Sequence, residues 1–307
     1  MASLNWPDEA AGPSDGGEAR LVQPGSNVCL DFHGDPLRAR LMVVSDGNHH
    51  MALREVLAVF LAENPAMEDI FYTTTPPRVA LQLVCAGHLD IGNLRLSAKP
   101  HVMIGPPPAL DQAVAAGHMA AHRPFMRSRG AALLVRKGNP KRILGAADLL
   151  RDEVRLFLSN PLAEKVSYDT YLGALHRLAA AEGVALGFPE HPNGQPDPGK
   201  LLYGGSIHHR EAPQAIADTM ADTRADVAVV FYHLALRNQR IFPDLFDFVQ
   251  PAAWARDDGS EVGRTDCGLV GDGGTWGGAL LDYLATEAVT QIYRGHGLER
   301  ALLLQTP

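Results

Sequence analysis

Residues 41–84 read LMVVSDGNHHMALREVLAVFLAENPAMEDIFYTTTPPRVALQLV. Short apolar runs alternate here with longer segments whose apolar residues recur at helical spacing. The pattern predicts strands over 41–44 and 70–74 and helices over 49–63 and 77–87. Strands that alternate with helices of about 10–15 residues are typical of βαβ units, in which parallel strands lie under covering helices. The stretch therefore predicts an α/β fold.

The same alternation continues along the chain and forms a second set of elements. Further strands are predicted over 101–104, 131–135, 154–158 and 227–232, and further helices over 109–117, 167–182, 211–222 and 275–294. Turns are predicted over the basic stretch 123–130 and over 137–140, and 187–205 is a long Pro/Gly-rich loop. Residues 1–36 carry no sustained period and are interpreted as a tail. Two α/β sets in one chain indicate two lobes of similar architecture.

Composition excludes several classes of protein. The 307 residues carry a formal net charge of −8 and are 46% hydrophobic, which is typical of a globular chain. Nucleic-acid binding is not expected, because phosphate contacts need a basic surface. The three cysteines, Cys29, Cys85 and Cys267, form no CxxC pair, so the sequence indicates neither a disulfide framework nor a cysteine zinc site.

The N-terminal segment and the hydropathy pattern bear on localisation. The first 27 residues have neither a positively charged start nor an apolar run of the kind a secretory signal contains. No stretch of about 18 apolar residues occurs, so the chain is not expected to span a membrane. As written, the sequence predicts a cytoplasmic protein, and a periplasmic one if a leader has been removed.

Candidate ligand-binding residues cluster where strands give way to helices. In open α/β sheets, ligands bind beyond the carboxyl ends of strands, where helix N-termini present unpaired N–H groups. Four such junctions carry polar side chains, namely 44–51, 72–77, 204–211 and 230–233. Ser45, Asp46 and Asn48 are also candidate helix N-caps, and a structural cap is the commoner role of such residues.

Five histidines lie at these junctions, and they leave two kinds of ligand open. Histidine donates hydrogen bonds to anions when protonated and ligates metals when neutral. Neighbouring histidines point in opposite directions, and no HxxxH or HxH spacing places two ligands on one helical face. A transition metal, if present, would be held by His49, His50, His208, His209 and His233.

No motif for catalysis accompanies these junctions. The sequence has no GxSxG elbow, no GxxxxGK[ST] loop and no GxGxxG after a strand. Glu164 and Glu211 are candidate acid/base groups, but nothing pairs either with a nucleophile. No catalytic residue and no cofactor are therefore assigned.

Several short motifs, in order, resemble a known family. They are 102–116 (VMIGPPPALDQAVAA), 131–140 (AALLVRKGNP), 158–161 (LSNP) with Tyr168 and Tyr171, 225–232 (ADVAVVFY), and the closing helix 276–297. Between about Leu41 and Leu298 the chain resembles the type II periplasmic binding proteins, most closely the molybdate-binding proteins of ABC importers.

The resemblance implies a two-lobed α/β fold, each lobe a mixed, mostly parallel sheet flanked by helices. It implies lobe 1 over 37–128 plus 271–307, lobe 2 over 129–270, and a monomer that works with an ABC permease. Carried over by position, the ligand contacts fall on Ser45 or its neighbours, on Thr74 or Thr75, on the backbone near Ser167 and His209, and on the Tyr232 hydroxyl. Asn48, His49 and His208, at the same junctions, are further candidate ligand residues.

Departures from the family pattern bear on the ligand. Asp46-Gly47-Asn48-His49-His50 replaces a small serine-rich turn, and Ile207-His208-His209 replaces an apolar helix entry. A carboxylate at Asp46 repels a dianion unless it turns away to cap the helix. The leading hypothesis is a solute-binding protein that closes a cleft on a small anion, either a molybdate-like oxyanion or an organic anion. The alternatives are a metal-dependent cytoplasmic enzyme, or enzyme subunit, that uses the histidines, and a cytoplasmic ligand sensor.

Overall fold

A computed structural model describes residues 4, 19–22, 29–91, 93–97, 99–188, 199–204, 208–218, 224–255 and 262–301. The described chain divides into two units. The central unit contains the described residues of 128–262 together with Leu4. The split unit contains the described residues of 19–127 and 263–301.

Fifteen strands and ten α-helices are found in the described ranges. The strands are β1 (Ala19–Val22), β2 (Cys29–His33), β3 (Ala39–Ser45), β4 (Asp69–Thr74), β5 (His88–Ile91), β6 (Leu94–Ser97), β7 (Val102–Gly105), β8 (Arg123–Ser128), β9 (Ala131–Arg136), β10 (Leu156–Leu158), β11 (Leu201–Tyr203), β12 (Val227–Phe231), β13 (Phe246–Val249), β14 (Thr265–Leu269) and β15 (Leu298–Arg300). The helices are α1 (His50–Glu63), α2 (Pro77–Ala86), α3 (Pro107–Ala115), α4 (Ala146–Leu149), α5 (Lys165–Glu182), α6 (His208–Ala217), α7 (Tyr232–Ile241), α8 (Ala252–Ala255), α9 (Gly274–Leu284) and α10 (Glu287–Gly295).

The split unit is built on a mixed sheet with the strand order β1-β2-β4-β3-β7-β14-β8-β15. Its middle strand β3 runs parallel to β4 and β7, whereas β2 and β14 are antiparallel to their neighbours. The parallel strands β3 and β4 end together, because Ser45 pairs in register with Thr74. Their carboxyl ends therefore present side chains at one edge of the sheet.

The apolar run Leu41–Val44 of β3 is explained by burial on both faces of this sheet. Leu41 and Val43 lie in a core that includes residues of α1 and α10, whereas Met42 and Val44 lie in a second core with residues of α2 and α3. Successive strand side chains point to opposite faces, so a strand covered by helices on both sides is apolar throughout. This arrangement holds the ends of β3 and β4 in fixed positions.

The central unit repeats the design on a smaller sheet with the order β11-β10-β12-β9-β13. Parallel pairing joins β10 to β11 and β12, and β9 is antiparallel to β12 and β13. Every residue of β12 is buried, and α6 and α7 pack against it. In both units, parallel pairing is found in three neighbouring strands of the described sheet.

Most of the predicted strands and helices are confirmed, with boundaries shifted by a few residues. The predicted helix over 275–294 is wrong in one respect, since it consists of α9 and α10. Thr286 divides them and caps α10, its hydroxyl accepting a hydrogen bond from the Val289 N–H at 3.4 Å. The predicted strand end at Tyr232 is instead the first residue of α7, a helix that was not predicted.

Two segments interpreted as irregular contain strands. Within the predicted tail, 19–22 and 29–33 form β1 and β2, and β2 pairs with β4. Within the predicted basic turn, 123–128 forms β8, which pairs with β14. These short strands are stabilised by partners distant in sequence, so local periodicity gave no signal for them.

The structure also bears on the domain boundaries, the thiols and the membrane question. Residues 263–270 belong to the split unit, because β14 pairs with β7 and β8. Most of the predicted loop 187–205 lies outside the described residues. Cys85 and Cys267 are free thiols. None of the helices in the described ranges is both long and apolar enough to cross a membrane.

Candidate functional site

Three predicted ligand residues come together at the carboxyl ends of β3 and β4. Ser45 and Thr74 are the last residues of these strands, and the Thr75 N–H donates to the Ser45 carbonyl at 2.9 Å. All three side chains are buried.

The hydroxyl of Thr75 is buried and has no hydrogen-bond partner. The Thr74 hydroxyl, by contrast, lies 3.2 Å from Nε2 of His33, whose ring stacks on Tyr72. His33 was missed in the sequence because it falls in the segment interpreted as a tail. Buried polar groups are nearly always satisfied, so an unpaired hydroxyl at a strand end is a candidate donor to a ligand.

His49 is fully buried and is held by three polar side chains of the split unit. Its Nε2 lies 3.0 Å from Ser45 Oγ and 3.1 Å from Asp46 Oδ1. Its Nδ1 lies 2.8 Å from the Tyr293 hydroxyl of α10. Burial, followed by the charge of Asp46, raises the pKa of Tyr293 well above its usual value, so the phenol is neutral. Tyr293 is therefore a part of this network that sequence spacing did not reveal.

The predicted helix caps at the first junction are not formed. Asp46 precedes a 3-10 turn over Gly47–His49, but its side chain makes no capping hydrogen bond. Instead, its carboxylate faces His49 and accepts a hydrogen bond from the Asn48 amide at 3.1 Å. The His50 side chain makes a hydrogen bond within the same turn, with its Nδ1 2.8 Å from the Gly47 carbonyl oxygen.

In the central unit, a turn after β10 brings a carboxylate to the start of two helices. Asn160 organises this turn, its Oδ1 accepting from the N–H groups of Leu162 and Ala163 at 2.8 and 3.1 Å. Glu164 then takes the N-cap position of α5. Its Oε2 accepts a hydrogen bond at 3.0 Å from the backbone N–H of His208, the first residue of α6.

The environment of Glu164 favours its neutral form. Burial raises the pKa of this carboxyl to about 7, and the charge of Glu211 acts in the same direction, while the hydrogen bond from His208 lowers it. Glu211 lies in the first turn of α6, so two carboxylates share this helix N-terminus. A helix N-terminus is suited to binding an external anion, but at the N-terminus of α6 the carboxyl groups of Glu164 and Glu211 are already present.

The His208 side chain is buried among aromatic rings. Its Nε2 donates to the Val229 carbonyl at 2.7 Å, and its Nδ1 is buried with no hydrogen-bond partner. The ring lies 4.8 Å from that of Tyr171 and 5.6 Å from that of Phe157. Burial lowers the pKa of His208 to about 4, so the imidazole is neutral near pH 7. Ser159, at the end of β10, likewise carries a buried hydroxyl without a partner.

The other residues of the central unit that the sequence predicts as ligand-binding or metal-ligating each contact different groups. Tyr232 is half-buried at the start of α7, with the guanidinium carbon of Arg129 5.0 Å from its ring centre. Ser167 is half-buried in the first turn of α5, and His209 is the second residue of α6. His233 is buried, and its Nδ1 lies 3.1 Å from the Ser128 hydroxyl.

The histidines predicted as metal ligands divide between the two units. His49 and His50 lie in the split unit, and His208, His209 and His233 lie in the central unit. Within the described ranges, no group of three or more His, Cys, Asp or Glu side chains is placed to hold a metal ion. The metal-dependent alternative therefore finds no support in this part of the chain.

The sequence matches the model of a family described as bacterial extracellular solute-binding protein over residues 41–299. The chain belongs to this solute-binding family. The membership confirms the resemblance identified in the sequence, and the alternative of an enzyme has no support. Among curated proteins, none matches this chain significantly.

Solved structures of other solute-binding proteins share the fold at low sequence identity. The substrate-binding domain of a putative molybdenum ABC transporter from Clostridium difficile is 12% identical with a TM-score of 0.59, covering 85% of this chain and 99% of that one. The sulfate-binding protein SubI from Mycobacterium tuberculosis is 17% identical with a TM-score of 0.56, covering 85% and 86%. The tungstate ABC transporter protein from Geobacter sulfurreducens is 14% identical with a TM-score of 0.52, covering 83% and 97%. The predicted fold class, a type II periplasmic binding protein with mixed sheets flanked by helices, is confirmed.

Proposed function

We propose that this solute-binding protein binds a small oxyanion at the strand ends described above and delivers it to the permease of an ABC importer. The structural neighbours are named for molybdenum, sulfate and tungstate, which share compact oxyanion chemistry. In this proposal the protein works outside the cytoplasmic membrane, as a monomer, and the permease is its partner.

The observation that carries the proposal is the buried, unpaired hydroxyl of Thr75 at the ends of two parallel strands. Ser45 and Thr74 lie beside it at the same sheet edge, and their hydroxyl groups are already paired with His49 and His33. A buried hydroxyl without a hydrogen-bond partner destabilises the folded protein by about 1–3 kcal/mol. A hydrogen bond to a charged oxygen is stronger than one to a neutral oxygen, so it offsets this loss. A ligand oxygen that accepts from Thr75 provides that pairing.

The family resemblance also places candidate ligand contacts within the central unit. Backbone N–H groups in the first turns of α5 and α6 point along the helix axes, near Ser167 and His209, and favour negative charge. The Tyr232 hydroxyl is the side-chain donor that the family resemblance places there. In this proposal, His49 shapes the site by positioning Ser45, because its own nitrogens lie against partners within the protein.

The test is direct binding of sulfate, molybdate and tungstate, measured by calorimetry and by native mass spectrometry of the purified chain. We expect one equivalent of at least one oxyanion per chain. Thr75→Val should weaken binding by about 10- to 100-fold, the value of a hydrogen bond to a charged group. Thr170→Val is the matched control, because the exposed Thr170 hydroxyl only donates to the Val166 carbonyl within α5.

Two results would contradict the proposal. Equal affinities of Thr75→Val and Thr170→Val would remove Thr75 from the site. A stoichiometric transition metal in the protein as purified, with no oxyanion bound, would favour the metal-dependent alternative over the oxyanion proposal.

A further inference from the structure

Asp46 adds a buried hydrogen-bond acceptor to the strand ends of the split unit. Its side chain is 2% exposed, and among the described residues its Oδ1 has no hydrogen-bond partner. Its Oδ2 accepts from the Asn48 amide at 3.1 Å. Nε2 of His49 lies 3.1 Å from Oδ1, but the hydrogen bond of this nitrogen is made with Ser45 Oγ at 3.0 Å. One oxygen of the buried carboxylate is therefore left without a donor.

Thr75, with its unpaired hydroxyl, lies beside Asp46 in the backbone. Ser45 and Thr74 pair in register at the ends of β3 and β4, and Asp46 and Thr75 are the residues that follow them. The Thr75 N–H donates to the Ser45 carbonyl at 2.9 Å, so the pairing continues to these two residues. The Asp46 N–H donates to the Ile104 carbonyl of β7 at 3.2 Å. The acceptor and the hydroxyl are thus held by neighbouring strands of one sheet.

The two unpaired groups have different hydrogen-bonding roles. The Thr75 hydroxyl donates, whereas a carboxylate oxygen only accepts. An oxygen of sulfate, molybdate or tungstate satisfies the hydroxyl, but these dianions carry no hydrogen for the carboxylate and are repelled by its charge. Turning Asp46 away to cap the helix would avoid this repulsion, and the side chain makes no capping hydrogen bond.

An oxyanion that keeps an O–H at neutral pH satisfies both groups. One of its oxygens accepts from the Thr75 hydroxyl, and its own O–H donates to Oδ1 of Asp46. A hydrogen bond to a charged acceptor is among the stronger ones, and a buried carboxylate oxygen gains most from it, because no water replaces the missing donor.

We propose that the ligand of this site is an oxyanion that carries its own hydroxyl hydrogen, and that Asp46 selects it by accepting that hydrogen. Hydrogen phosphate is the simplest ion of this class. The inference rests on the proposed oxyanion function and deepens it, because it names the class of oxyanion. Asp46 is then the specificity-determining residue, and Thr75 contributes affinity for any oxyanion.

The experiment measures binding of phosphate, sulfate, molybdate and tungstate to the full chain at pH 7.5 by calorimetry. Wild-type protein should bind phosphate about 10- to 100-fold more tightly than sulfate, the range expected for one hydrogen bond to a charged group. Monofluorophosphate is the matched ligand control, because fluorine replaces the hydroxyl of hydrogen phosphate and the ion remains a dianion. It should bind about as weakly as sulfate.

Asp46→Asn tests the residue itself. The amide keeps an oxygen for Asn48 and places an N–H donor where the carboxylate offers only acceptors. The preference for phosphate over sulfate should fall at least about tenfold, since the variant loses an acceptor for the phosphate O–H and gains a donor for sulfate. Thr75→Val should weaken both ions by similar factors and leave their ratio unchanged.

Asp282→Asn is the matched control variant. Asp282 is exposed on α9 of the same unit, so its replacement removes the same charge from a solvated position. The affinities for phosphate and sulfate should stay within about twofold of wild type, because an exposed charge is largely screened by salt. Urea unfolding of each variant establishes that it is folded under the conditions of the titration.

The outcomes separate this inference from the function on which it rests. Wild-type protein that binds any of the four ions without an O–H as tightly as phosphate overturns the role of Asp46 and leaves the oxyanion function intact. A folded Asp46→Asn variant that keeps the wild-type preference overturns it as well. If none of the five ions binds to wild-type protein, the oxyanion function falls, and this inference falls with it.

Discussion

Replacing Glu164 by Gln should change how the stability of the ligand-free protein depends on pH. Burial, reinforced by Glu211, raises the pKa of Glu164 from 4.5 to about 7. The folded state therefore binds this proton more tightly than the unfolded state. Wild-type protein should lose stability as the pH rises from 4.5 through 7, and the full loss should be present at pH 8.

The magnitude follows from the size of the pKa change. A tenfold change in a protonation equilibrium is worth about 1.4 kcal/mol, so the change at Glu164 corresponds to about 3 kcal/mol. Gln carries no charge at either pH. The free energy of unfolding of Glu164→Gln minus that of wild type should therefore be about 3 kcal/mol larger at pH 8 than at pH 4, so the variant gains stability relative to wild type as the pH rises.

Urea unfolding at pH 4, 6 and 8 provides the measurement, with wild type and variant compared at each pH. Titrating groups that do not interact with Glu164 contribute equally to both proteins and cancel in the difference. Asp169→Asn controls for the loss of a carboxylate on α5, and its effect should stay within about 0.5 kcal/mol at each pH, as expected for its exposed ion pair with Lys165. A constant difference between Glu164→Gln and wild type from pH 4 to 8 would refute the reasoning.

Three further predictions concern other buried groups. Burial lowers the pKa of His208 from 6.5 to about 4, so its contribution to stability should be lost as pH falls from 6.5 through 4, and His208→Gln should lack that loss in acid unfolding curves. Tyr293→Phe leaves Nδ1 of His49 without its partner at 2.8 Å and should cost about 1–3 kcal/mol in urea unfolding; a cost below about 0.5 kcal/mol would mean that the bond adds nothing. Gly34→Ala should lower the free energy of unfolding by well over about 1 kcal/mol in thermal unfolding, because the added Cβ would lie 2.1 Å from the Ile70 carbonyl oxygen of the neighbouring strand. Gly117→Ala is the control: this glycine also has a positive φ but has open space around it, so the loss of stability should be clearly smaller.

The sequence was sufficient for the elements of the core. The run Leu41–Val44 is buried on alternating sides, and the helix over 49–63 turns its apolar residues to one face. Both signals are local, because they depend only on the spacing of apolar residues along a strand or helix. The junction residues Ser45 and Thr74 could also be placed, since parallel strands present their carboxyl ends at one sheet edge.

Weakly patterned segments were not predictable in the same way. β1 and β2 lie in a stretch rich in Gly, Pro and Asp, and β14 is the short sequence TDCGL. Their strands exist because pairing partners from elsewhere in the chain supply the hydrogen bonds. The helix α7 was missed for a related reason, since it follows directly on the apolar run of β12.

The sequence by itself therefore determined the α/β class, the resemblance to solute-binding proteins and the junctions at which ligand residues are sought. The tertiary structure alone decided which polar groups face one another there. Tyr293 meets His49 across 244 residues of sequence, and Glu164 meets the His208 N–H across 44. Apolar periodicity is a property of neighbouring residues, and it survives in the sequence. Charge state and hydrogen bonding depend on burial and on distant partners, and these arise only when the chain is packed.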